Sequence, residues 1–162
     1  MKSLKTLAVF VVLSSLLGGC EKWKDIYHKD KKKEDKYLYV AKNLPMTGSQ
    51  EVPQKTTPAE GLFDVDYDKR DGYMHFTLRW AKLTGTPTGA HIHGPAARGA
   101  NAGIKNDFFG IFPKTTSGVF THSVFVDGIA IKEDSLLKGY YYFNIHTPTN
   151  PGGEIRGQIE FK

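Results

Sequence analysis

The sequence predicts an all-β protein, an antiparallel β-sandwich or barrel with one short helix. Three observations predict it. Several segments alternate apolar and polar residues with a period of two, the mark of a strand buried on one face. Seventeen glycines and eight prolines punctuate the 162 residues, and these residues build turns rather than helix interiors. Aromatic residues reach 12%, a composition that favours strands.

The chain divides into three parts. "MKSLKTLAVFVVLSSLLGGC" opens with Lys2 and Lys5 and continues with an apolar run from Thr6 to Leu17. That run falls short of the roughly 20 residues a bilayer span needs and fits a secretory signal. Leu17, Gly18 and Gly19 precede Cys20, the single cysteine. This resembles a bacterial lipobox, so residues 1–19 are expected to be a lipoprotein signal peptide and Cys20 the lipidated first residue. An acylated Cys20 leaves no thiol for catalysis or a disulfide. Glu21 stands where some Gram-negative lipoproteins carry an inner-membrane retention aspartate, which points to the outer membrane. Residues 20–36, with seven lysines and five acidic residues, have too little apolar surface to fold alone and are expected to be a solvated tether. His28 lies in it.

Strand patterning starts at Tyr37. "YLYVAKNL" alternates. "EGLFDVDYD" (60–68) sets Phe63, Val65 and Tyr67 against Leu62, Asp64 and Asp66. "DKRDG" is turn chemistry, and "YMHFTLRW" (73–80) turns Met74, Phe76, Leu78 and Trp80 inward, with His75 outward. The two strands form a hairpin. "TGAHIHG" is the next short strand. Residues 96–118 show no period and are expected to be a long, Gly-rich recognition loop. "VFTHSVFV" (119–126) places His122 with Phe120 and Val124, so His122 is expected to be partly buried. "IKEDSLLKG" (131–139) suits a short helix ended by Gly139. "YYYFNIHT" (140–147) and "GEIRGQIEF" (153–161) are the last strands.

Charge excludes one class of partner. The chain carries a net +5, but from Tyr37 onward 13 basic residues meet 12 acidic ones. A nucleic-acid binder concentrates positive charge on its folded domain, so no nucleic-acid partner is expected. No catalytic motif of the hydrolase, zincin, thiol-redox or phosphate-loop kinds is present, and the domain is expected not to be an enzyme.

The residues that invite chemistry are histidines. His91 and His93 lie two apart, so they share one face of a strand. Asn144 and His146 oppose the stripe of Tyr141, Phe143 and Ile145; Glu154, Arg156 and Gln158 oppose Ile155, Ile159 and Phe161. If paired residues of the last hairpin sum to an even number, these polar stripes share a face; an odd sum separates His146 from Glu154 and Arg156. Three imidazoles, His91, His93 and His146, would suit zinc or copper with one position left open. The rival reading is a polar network of His91, His93, Asn144, His146, Glu154 and Arg156 that holds imidazoles and backbone without an ion. Arg156 favours the second, because a fixed cation opposes a metal. A strand of this kind in an exported β-sandwich is similar to copper–zinc superoxide dismutases, but the extra histidines and ligating aspartate of a dinuclear site are missing.

"SQEVP" (49–53), "AHIHGPA" (90–96), "LLKGYYYFNIHT" (136–147) and "NPGGEIRGQI" (150–159) occur in the order and spacing of the CHRD domain, named after chordin, and residues 37–162 resemble that family. The resemblance implies an immunoglobulin-like or related Greek-key β-sandwich. It draws attention to Glu51, His91, His93, Asn144, His146, Glu154, Arg156 and Gly157. Bacterial members resemble exported or lipid-anchored proteins, and the cysteine-rich growth-factor modules of chordin have no counterpart here. The expected function is therefore a non-enzymatic envelope module that binds or scaffolds; the alternative is a copper- or zinc-binding envelope protein using His91, His93 and His146, and after it a metal-dependent redox enzyme built on that site.

Overall fold

A computed structural model describes residues 37–161. Residues 1–36, on which the expected signal peptide, the expected lipidation at Cys20, His28 and the expected tether fall, lie outside the described residues. Eight strands form the domain: β1 (Leu38–Thr47), β2 (Glu60–Asp68), β3 (Tyr73–Ala81), β4 (Gly89–His93), β5 (Ile104–Asp107), β6 (Gly118–Phe125), β7 (Tyr141–His146) and β8 (Ile155–Ile159). A short helix, α1 (Glu133–Leu137), lies within the stretch 131–139 that suits one. A 3-10 turn at Gly48–Gln50, which no sequence pattern announces, follows β1.

The strands make one antiparallel sheet in the order β5-β4-β7-β8-β1-β2-β3-β6. It cannot be flat. Phe76 on β3 and Phe143 on β7 lie four strand spacings apart, roughly 19 Å in a flat sheet, yet their ring centroids are 4.6 Å apart. The sheet curls so that its halves pack like the layers of a sandwich. Its free edges meet through side chains, since Phe108, after β5, touches Phe120 on β6 at 5.7 Å between centroids.

The alternation read from sequence fills the interior. Phe63, Val65, Met74, Phe76, Leu78, Ile92, Phe143, Ile145, Ile155 and Ile159 are all buried. At roughly 1.5–3 kcal/mol for each large apolar side chain removed from water, this core is the main source of stability.

Two expectations change. The stretch 96–118 is not a free loop: it contains β5, and its Phe108 and Phe112 are buried and close the open side of the sheet. No period marked this segment because it plugs the core with a few aromatic residues from irregular backbone. His122 is exposed, although its ring lies against Phe120 with 5.6 Å between centroids. β6 is an edge strand, so nothing covers the outer side of that ring. His75 is exposed, as the alternation indicates.

Candidate functional site

β4, β7 and β8 are neighbours, and their register lines up three rows. His91 pairs with Asn144, which pairs with Arg156; His93 pairs with Tyr142, which pairs with Gln158; Gly89 pairs with His146. The last hairpin therefore has the even register, with Ile145 opposite Ile155. The apolar side of these strands enters the core. The polar side is buried too: His93, Tyr142, Asn144, Arg156 and Gln158 are all at most 9% exposed. The carbonyls of Ala102 and Pro151 accept hydrogen bonds over it, and Glu51 closes on it from the segment after β1. It is a second buried layer rather than an open surface.

Three imidazoles gather at one end. Each offers a nitrogen within 4.8 Å of the others. His93 Nδ1 lies 2.9 Å from the Ala102 carbonyl, and His146 Nδ1 lies 2.9 Å from the Pro151 carbonyl. A carbonyl only accepts, so each Nδ1 carries the proton and leaves Nε2 with a lone pair. His91 Nε2 stands 3.4 Å from Asp107 Oδ1; with its proton there, His91 Nδ1 presents a lone pair 3.0 Å from His146 Nε2. Burial lowers the pKa of all three, His91 to about 4, helped by the neighbouring His146. At neutral pH the cluster is thus uncharged, with lone pairs converging. An outward N–H on an oxygen acceptor and a bare inward nitrogen is the arrangement that orients imidazole ligands on metals. Asn144 Oδ1 lies 3.0 Å from His93 Nε2 and 2.9 Å from His146 Nε2; it too only accepts, so beside bare nitrogens it is a further unsatisfied acceptor rather than a hydrogen-bond partner.

Glu154 and Arg156 do other work. Glu154 accepts from Thr84 N and Oγ1 at 3.0 and 2.9 Å and from Thr147 Oγ1 at 2.7 Å, with Thr57 Oγ1 at 2.5 Å. Burial alone would raise its pKa, but these donors take it below the ordinary value. It ties three loops together and holds no imidazole. Arg156 lies over the Tyr142 ring, 3.4 Å from its centroid, while His93 stacks on Tyr142 at 5.0 Å with planes 5° apart. Strand order puts Tyr142 between them, so an aromatic ring separates the guanidinium from His93, and Asn144 lies between it and His91 in the register. The objection that Arg156 raised against a cation is thereby weakened. It has not vanished, because Arg156 still helps to lower the pKa of His93.

A family model, the CHRD domain, matches residues 43–159. The chain belongs to the CHRD family. The match spans more than half of the chain and falls within the domain expected at 37–162. Comparison with curated proteins and with solved structures found no match.

Other positions singled out by the resemblance to the CHRD domain also find places in this layer. Glu51 is buried, and burial pushes its pKa up to about 7 against the pull of Arg156, Lys55 and the Asn144 amide. Gly153, at a φ of 121°, lies under it: a Cβ there would come 2.4 Å from Glu51 Oε1. Gly157 faces the apolar side, where a Cβ would meet Phe63 at 2.6 Å. Sequence reasoning did not single out Tyr142, Asp107 or Gly89. Alternation already places Tyr142 in the stripe of Asn144 and His146, so that residue was findable. Asp107 and the two carbonyls come from aperiodic segments, which carry no such signal.

Proposed function

We propose that this chain is an exported envelope lipoprotein, anchored through acylated Cys20, whose CHRD domain is a non-enzymatic binding module holding one zinc or copper ion at His91, His93 and His146. The observation that carries the metal is the convergence of three uncharged imidazoles, of which His93 and His146 have their Nδ1–H committed to carbonyls while His91 Nε2 faces Asp107 Oδ1 at 3.4 Å. Such a site binds without first displacing protons at neutral pH. Three protein ligands leave a further position for water or a ligand group. The anchor rests on the basic start, the short apolar run and the "LGGC" ending, and Glu21 favours the outer membrane.

The test is metal analysis of a soluble chain starting at residue 20 with Cys20→Ser, purified without a histidine tag. One equivalent of zinc or copper is expected, lost in the His91→Ala, His93→Ala double variant. No bound metal, together with no rise in thermal midpoint on adding either ion, refutes the metal site. A second reading, in which the cluster only stiffens the polar layer, has the other tautomers, with Asn144 Oδ1 accepting from the Nε2–H of His93 and His146; the negative result favours it. In the full chain, Cys20→Ser is expected to abolish acylation and membrane partitioning, and unchanged partitioning refutes the anchor.

A further inference from the structure

A cavity of about 550 Å³ opens on the β8 side of Tyr142, lined by Gln50, Glu51, Arg98, Arg156 and Gln158 among others. Its size falls within the range of small-molecule sites, roughly 300–1,000 Å³. Two buried groups on its lining lack suitable partners.

The first is Arg156, 1% exposed. A guanidinium has five N–H donors. Those of Arg156 reach Gln158 Oε1 at 3.1 Å and Asn101 Oδ1 at 3.4 Å, both neutral acceptors, and Tyr142 lies against one face. Among the described residues no carboxylate stands within ion-pair distance of it. The second is Glu51, 3% exposed, whose Oε1 has no hydrogen-bond partner. Arg156 and Glu51 feel each other's charge without making an ion pair, and a buried cation with no anion in contact and a buried acceptor without a donor are each unfavourable. That they line the same cavity suggests one molecule serving both.

Arg98 lines the outer part of the cavity, its charge matched by Glu160, which accepts from Nε and Nη2 at 2.7 and 2.9 Å, while Gln50 accepts from Nη1 at 2.6 Å. The guanidinium with an unmatched fork is that of Arg156. The planar fork of arginine matches a carboxylate, and a hydroxyl is the neutral donor that an unpartnered carboxylate oxygen accepts.

We propose that this cavity binds a hydroxylated organic carboxylate of monosaccharide size, a sugar acid, with its carboxylate on Arg156 and a hydroxyl donating to Glu51. The site is distinct from the imidazole cluster and does not depend on a metal.

Amide NMR titration of the soluble Cys20→Ser chain tests it with three probes: glucuronate, glucose and inorganic phosphate. Glucuronate is expected to shift the amides of residues 49–52, 54 and 98–99 saturably. Glucose should leave them unmoved, and phosphate should bind about tenfold more weakly. Arg98→Ala, at the half-exposed rim, should weaken glucuronate about tenfold while leaving the thermal midpoint in place. Arg156→Lys keeps a charge without the fork and should also weaken it. The proposal is overturned by the absence of a saturable shift up to roughly 50 mM glucuronate. It is likewise overturned by equal affinity for glucose or phosphate, or by undiminished affinity in Arg98→Ala.

Discussion

Glu51→Gln should make the protein more stable, and only at high pH. Glu51 is 3% exposed, and its pKa is pushed up to about 7 from the ordinary 4.5, first by burial. The folded domain therefore resists ionising this carboxyl. A raised pKa contributes stability in full below pH 4.5, and that contribution is lost as pH rises through 7. The difference of 2.5 pH units, at about 1.36 kcal/mol each, amounts to about 3 kcal/mol. Gln keeps the shape and a carbonyl acceptor but cannot ionise. Urea denaturation of wild type and Glu51→Gln, both in the Cys20→Ser background, should give similar free energies near pH 4. At pH 8.5 the variant should lead by about 3 kcal/mol. The three imidazoles titrate in both proteins and cancel in the difference. A lead that does not change with pH would refute the reasoning, because Glu51 would then not be ionising in a buried site.

The imidazoles have the opposite sign. His91 falls from 6.5 to about 4, so the unfolded chain takes up a proton that the folded domain refuses; wild type should lose stability as pH falls from 6.5 to 4, and His91→Gln should lose about 3 kcal/mol less over that window in urea melts. A Cβ at Gly89 would lie 2.8 Å from His91 Cε1 and 3.3 Å from His146 Cδ2. Gly89→Ala should therefore displace the imidazoles, lowering stability by about 1–3 kcal/mol and weakening zinc or copper in isothermal titration. Phe143 is fully buried against Phe63 and Phe76; Phe143→Ala should cost about 3–5 kcal/mol in urea denaturation, and a loss under 1 kcal/mol would contradict the curled-sheet packing.

Much of the fold was legible because its strands are amphipathic. The hairpin of β2 and β3, the inward stripe of Met74, Phe76 and Leu78, and the short helix all follow from local pattern. The even register of β7 and β8 was an open choice in the sequence, since either register pairs a strand with a strand. Burial of Ile145 with Ile155 favours the one observed. What local pattern could not convey was the segments that cover the polar stripes. Glu51, Ala102, Asp107 and Pro151 come from turns and loops, where no periodicity ties residue number to direction.

That covering explains why a polar stripe can be so fully buried. An alternating strand ordinarily leaves its polar side to water. Here β7 and β8 sit centrally in the sheet, and loops from both ends of the domain fold back over their outer side. Once covered, each polar group needs a partner within the layer. Glu154 finds three threonines, Gln158 finds the carbonyls of Ala96 and Gly139, and Tyr142 packs between His93 and Arg156. The groups left without a matching partner are few and placed together: the converging lone pairs of three imidazoles at one end, and Arg156 with Glu51 Oε1 at the other. A layer otherwise so completely satisfied makes those two places the ones where a bound ion and a bound acid would complete it.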